Sequence, residues 1–106
     1  MLVTVTFQDV AENAKDGFRA YLDQKQTRLE KLLSHYPPDS VSLQVHAVYF
    51  RHHNAFEVTL QLGVPSWDEG YAQATSHALH KALDLSVDKL EGQVTRFLDR
   101  KNSVAR

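Results

Sequence analysis

The chain has 106 residues, 42% of them hydrophobic and 24% charged, a length and composition that fit one globular domain. Twelve Lys and Arg against thirteen Asp and Glu give a formal net charge of −1, without the basic excess on which a dedicated nucleic-acid binder draws. Cysteine is absent, which excludes disulfides, thiolate metal sites and cysteine nucleophiles and fits a cytoplasmic location.

The opening MLVTVTFQDV has no basic leader and no long apolar stretch, so no secretion signal is expected. Within it, LVTVTF (residues 2–7) alternates Val3, Val5 and Phe7 with Thr4 and Thr6. That period of two predicts a strand with one buried side. QDVAEN follows with turn and cap residues, and Asn13 is the expected N-cap. From Ala14 to about His35 the period lengthens. Phe18, Tyr21, Leu22, Leu29, Leu32 and Leu33 recur on one arc at ~100° per residue, a helix of ~33 Å. YPPDS ends it, because proline cannot continue a helix and biases its predecessor toward extended backbone.

SVSLQVHAVYF (40–50) alternates again, with Val41, Leu43, Val45, Ala47 and Tyr49 on one side. RHHN reads as a polar turn, and AFEVTLQLGV (55–64) as a third strand burying Phe56, Val58, Leu60 and Leu62. PSWDEG reads as a turn, YAQATSH (71–77) as a weaker fourth strand, and Ala78 to Arg100 as the last helix. The expected organisation is a single domain over residues 1–101 with a short polar tail at 102–106. The order β-α-β-β-β-α predicts an α+β two-layer sandwich, one four-stranded sheet with both helices on one face. The other face would carry Thr4, Thr6, Ser42, Gln44, His46, Glu57, Thr59 and Gln61, wet and nearly uncharged, without the aromatic pair that stacks bases on RNA-recognition-motif sheets.

The charges are segregated on both helices. With Phe18 at 0°, Lys25, Arg28 and Lys31 fall at ~340°, ~280° and ~220°, and Asp16, Asp23 and Glu30 at ~160°, ~140° and ~120°. With Leu79 at 0°, Lys89, Arg96 and Arg100 lie between ~260° and ~300°, and Asp84, Asp88 and Glu91 between ~120° and ~180°. A near-zero net charge therefore conceals two basic stripes, a footprint for a polyanion. Equally, if the helices run parallel, one basic flank faces the other helix's acidic flank, and the segregation serves ion pairing worth ~0–1 kcal/mol per exposed pair.

ALDLSVDKLEGQV (82–94), with Ala82, Asp84, Asp88, Lys89, Leu90, Glu91 and Gln93, resembles the last-helix motif of the ribosome-hibernation family. These are the hibernation-promoting and ribosome-associated inhibitor proteins, also called sigma-54 modulation or ribosomal-subunit-interface proteins. FRAYLDQKQTRLEKL (18–32) resembles the family's first helix at Arg19, Arg28, Leu29, Glu30 and Lys31, and the element order matches over nearly the whole chain. The resemblance implies a translation inhibitor that lodges in the mRNA and tRNA channel of the small ribosomal subunit in stress or stationary phase. It also implies phosphate contacts to ribosomal RNA from Arg19, Lys25, Arg28 and Lys31 on the first helix and Lys89, Arg96 and Arg100 on the last. Gly92 stands where the family usually has Arg, and His80 where it usually has Tyr. The chain stops soon after the last helix, without the dimerising domain of long members, so pairing of ribosomes would need a separate factor.

Other features carry less. His52 and His53 are adjacent in a turn and cannot readily direct both rings at one ion, so no metal site and no cofactor is expected. Trp67 is expected to cover a core edge rather than stack a base, and Leu85, at ~240°, to be a lone exposed leucine. No phosphate loop, nucleophile turn or paired-carboxylate context is present, so neither catalysis nor a small-molecule substrate is expected, and no membrane partner. Two other classes remain open: an RNA- or protein-interaction module that has left the ribosome, and a domain that self-associates through its sheet face or edge strand.

Overall fold

The computed structural model describes the backbone of residues 1–104 and the side chains of residues 1–101, so residues 105 and 106 of the expected tail at 102–106 lie outside the described residues. The elements are β1 (Leu2–Gln8), α1 (Glu12–Leu32), β2 (Ser42–Phe50), β3 (Ala55–Val64), β4 (Trp67–Ser76) and α2 (Leu79–Val104), with short 3-10 turns at Pro38–Ser40 and Arg51–His53. The four strands form one sheet in the order β1-β2-β3-β4. β1 pairs parallel with β2, as a crossover through α1 requires, while β2, β3 and β4 are joined by antiparallel pairing.

The fold follows the alternation read in the sequence. Leu43, Val45 and Ala47 of β2 are buried opposite Leu62, Leu60 and Val58 of β3. Phe18, Leu22 and Leu29 of α1 and Leu83, Val87, Leu90 and Val94 of α2 close over them in one cluster. Deleting any of the fully buried leucines to alanine costs ~2–5 kcal/mol through lost transfer energy and the cavity left behind. Ser86, buried among these side chains, is satisfied by donating from its Oγ to the Leu83 carbonyl at 2.9 Å.

Four boundaries differ from expectation. α1 begins at Glu12 after Ala11, with no side-chain cap, so Asn13 lies inside the helix and does not cap it. β4 begins at Trp67, four residues earlier than Tyr71, because Pro65 and Ser66 alone make the turn, with Ser66 at φ 70°. Asp68, Glu69 and Gly70, which read as turn residues, are in the strand. α1 also ends at Leu32, before His35, and α2 runs on to Val104, past the expected end at Arg100 and through the first part of the expected tail.

Candidate nucleic-acid interface

The helices run parallel: α1 residues meet α2 residues that advance in step along both chains. Tyr21 stacks on His80, with ring centroids 4.7 Å apart and planes 7° from parallel. Its hydroxyl donates to both Asp84 carboxylate oxygens at 2.7 and 2.8 Å. Lys25 Nζ lies 2.9 Å from Asp84 Oδ1, and Arg28 Nη2 lies 2.9 Å from Glu91 Oε2 and 3.9 Å from Asp88 Oδ1. The basic flank of α1 thus faces the acidic flank of α2.

This network moves the titration of its members. Burial alone would raise the Asp84 carboxyl, but the hydrogen bonds from Lys25 and Tyr21, with the Lys25 and Lys81 charges, outweigh it and hold Asp84 below its ordinary value of 3.8. The hydrogen bond to Asp84 raises Lys25 above 10.5 and, with burial and the Asp84 charge, Tyr21 above 10.0.

The expected basic residues therefore fall into separate groups. Lys25 and Arg28 are engaged with carboxylates in the interhelix groove and do not form a free ridge there. Arg19 sits on the far side of α1, its guanidinium 5.1 Å from the centre of the Phe7 ring. Lys31 is exposed in the last turn of α1. Lys89, Arg96 and Arg100 lie together on the flank of α2 that runs beside β4. Among the described residues none of these three is within ion-pairing distance of a carboxylate. Lys89 instead donates to the Gln73 carbonyl at 2.8 Å, which leaves two of its three ammonium donors for an outside acceptor.

Gly92 belongs to the same surface. A Cβ built there would lie 3.5 Å from Arg96 Nη1, so the guanidinium leans over the glycine one turn back. Lys101, not singled out in the sequence, donates to the Tyr36 hydroxyl at 2.8 Å and lies over the Tyr36 and Phe97 rings. Trp67 packs, its ring stacked on Phe97 at 4.7 Å and 7°. Arg51, His52 and His53 border a cleft of about 680 Å³ with Asp9, Val10, Tyr49 and Phe50 at the sheet end. Among the described residues no three His, Asp or Glu side chains gather as a metal site.

The family model for sigma 54 modulation protein / S30EA ribosomal protein matches residues 3–102. The chain belongs to this family. Its members are ribosome-associated factors rather than enzymes. Among solved structures, the fold is similar to the Protein Y N-terminal domain of Thermus thermophilus. That match has a TM-score of 0.73 and 24% identity, and covers 92% of this chain and 99% of that one. It is also similar to a ribosomal subunit interface protein of Coxiella burnetii, with a TM-score of 0.62 and 21% identity over 93% of this chain and 99% of that one. At these identities the two structures speak to the fold alone. No curated protein matches the chain in sequence.

Proposed function

We propose that the chain is a non-enzymatic hibernation factor that binds the small ribosomal subunit in its mRNA and tRNA channel and silences translation. The observation that carries the reading is the uncompensated flank of α2. In a family of ribosome-associated proteins, a chain of net charge −1 keeps Lys89, Arg96 and Arg100 clear of every described carboxylate. These three are the principal phosphate contacts, with Lys31 and Arg19 as outlying ones. Lys25 and Arg28 act first by fixing the two helices to each other, and contribute to RNA binding through that geometry.

Phosphate contacts release condensed counterions, so binding weakens as salt rises. For three phosphates, affinity falls on the order of 40-fold between 50 and 200 mM salt. Co-sedimentation with small subunits through sucrose gradients over a salt series tests this. Salt-insensitive association would speak against phosphate contacts, and no association at low salt would favour the interaction module that has left the ribosome.

A further inference from the structure

The basic flank of α2 lies along the edge strand β4, and one exposed aromatic residue of that strand is fastened to it. The Tyr71 N–H donates to Gln93 Oε1 at 3.0 Å, and Gln93 Nε2 donates back to the Tyr71 carbonyl. Lys89 holds the carbonyl of Gln73, the next residue on the same side of the strand. Gln93 comes one turn of helix after Lys89 and about one turn before Arg96. The backbone of Tyr71 is thereby anchored between two cations that no described carboxylate pairs with.

The anchoring leaves the ring itself uncovered. Gly70, Ala72 and Ala74 of β4 are buried on the helix side, so alternation turns Tyr71 to the other face of the sheet, where it is 45% exposed. Tyr21, Tyr49 and Trp67 each pack against another ring, whereas among the described residues Tyr71 meets neither an aromatic ring nor a cation. Its partner across the strand pair is Gln61, and its neighbour along the strand on that face is Gln73, both uncharged amides. Asp68 and Glu69, exposed where the β3–β4 register is irregular, are the carboxylates closest in the chain. They repel phosphate, so the sheet face at Tyr71 suits an uncharged ring while phosphates are drawn to the α2 flank.

We propose that Tyr71 is a base-stacking contact, and that the β4 edge takes an unpaired nucleotide of single-stranded RNA. The phosphates lie on Lys89 and Arg96, and the base turns over the edge onto the Tyr71 ring. Residues on one side of a strand are ~6.8 Å apart, so Lys89 Nζ, held at the Gln73 carbonyl, is close enough for one nucleotide to reach both. A cationic row that follows the backbone, with an aromatic ring beside it, is the arrangement by which proteins hold single strands, because every base has a π-face. A base inside a duplex is already stacked on its neighbours and cannot offer that face, so Tyr71 selects unpaired RNA. The inference rests on the RNA-binding reading of the α2 flank and adds to it the form of RNA that the flank accepts.

Fluorescence anisotropy at low salt with a labelled RNA strand of about ten nucleotides, the same strand made abasic, and its duplex tests this. The wild-type chain should prefer the intact strand to the abasic one on the order of tenfold. Tyr71→Ala, with folding checked by circular dichroism, should lose that preference while keeping the salt dependence and the duplex affinity of the wild type. Tyr71→Phe keeps the ring and should bind the strand within about twofold of wild type. No strand binding by the wild type, equal binding of intact and abasic strands, or equal losses in Tyr71→Phe and Tyr71→Ala would overturn the proposal. Co-sedimentation of the same proteins with small subunits separates this inference from the ribosome reading. Subunits bound by a chain indifferent to the bases would sink the stacking contact alone, whereas strands bound through Tyr71 by a chain that subunits do not retain would sink the ribosome reading alone.

Discussion

Arg28 and Glu91 meet at 2.9 Å across the groove between the helices, about one turn along α1 and two along α2 from the point where Lys25 meets Asp84 at the same distance. Lys25 and Arg28 of α1 are thus matched by carboxylates of α2, and the cations on the far flank of α2 are left over. The binding surface of a nearly neutral chain is set by which charges the fold has already used.

Glu91 is only 19% exposed, and its Oε1 is buried with no hydrogen-bond partner among the described residues, so Arg28 is its one strong compensation. Arg28→Ala should lower stability by about 1 kcal/mol, the upper end for a pair whose arginine is half-exposed. In a Glu91→Ala background the same change should cost little, giving a coupling energy of ~0.5–1 kcal/mol in a double-mutant cycle of urea melts. Equal costs in both backgrounds would mean that the pair contributes nothing.

The Asp84 network predicts a pH dependence with two limbs. A carboxyl held below its ordinary value gives stability that is present above its unfolded value of about 3.8 and is lost as pH falls through the lower folded value. The raised Lys25 and Tyr21 give stability that is present below about pH 10 and is lost as pH rises through their folded values. Asp84→Asn should flatten both limbs, since Asp84 causes both upward shifts. Urea midpoints from pH 2 to pH 11 check this, and an unchanged acid limb would contradict it.

Two helix- and strand-borne glycines should respond in opposite directions. At Gly92 a Cβ meets only Arg96 Nη1 at 3.5 Å, an ordinary contact, so Gly92→Ala should gain ~0.5–1 kcal/mol of helix propensity. At Gly70 a Cβ would lie 2.9 Å from Trp67 Cη2 and 3.1 Å from Leu90 Cδ1, so Gly70→Ala should cost ~1–3 kcal/mol by overpacking. Thermal melts separate the two, at roughly 4–8 °C per kcal/mol for a domain of about this size.

Gly70 also shows where the sequence was hard to read. Asp68, Glu69 and Gly70 have turn chemistry, yet they continue a strand because the Trp67 indole lies over Gly70 and stacks on Phe97, a distant residue that local pattern does not reveal. The remaining strands were legible because one apolar face at a period of two admits one register relative to the core. The basic residues were legible as stripes, but not as free or paired. That depends on the helices running parallel, which the β1-α1-β2 crossover and the position of α2 over the sheet decide together. Gln93 was visible as a family-like residue. Its grip on the Tyr71 backbone was not, since it needs the edge of β4 beneath α2.

The most direct test compares charge reversal on the free flank of α2 with the same reversal elsewhere. Small-subunit binding at fixed salt would be measured for Arg96→Glu/Arg100→Glu and for a charge-matched control, Lys15→Glu/Arg51→Glu, with folding verified for each. The account predicts a loss on the order of tenfold or more for the α2 variant and a change within about threefold for the control. Equal losses in both, or full binding by the α2 variant, would contradict it.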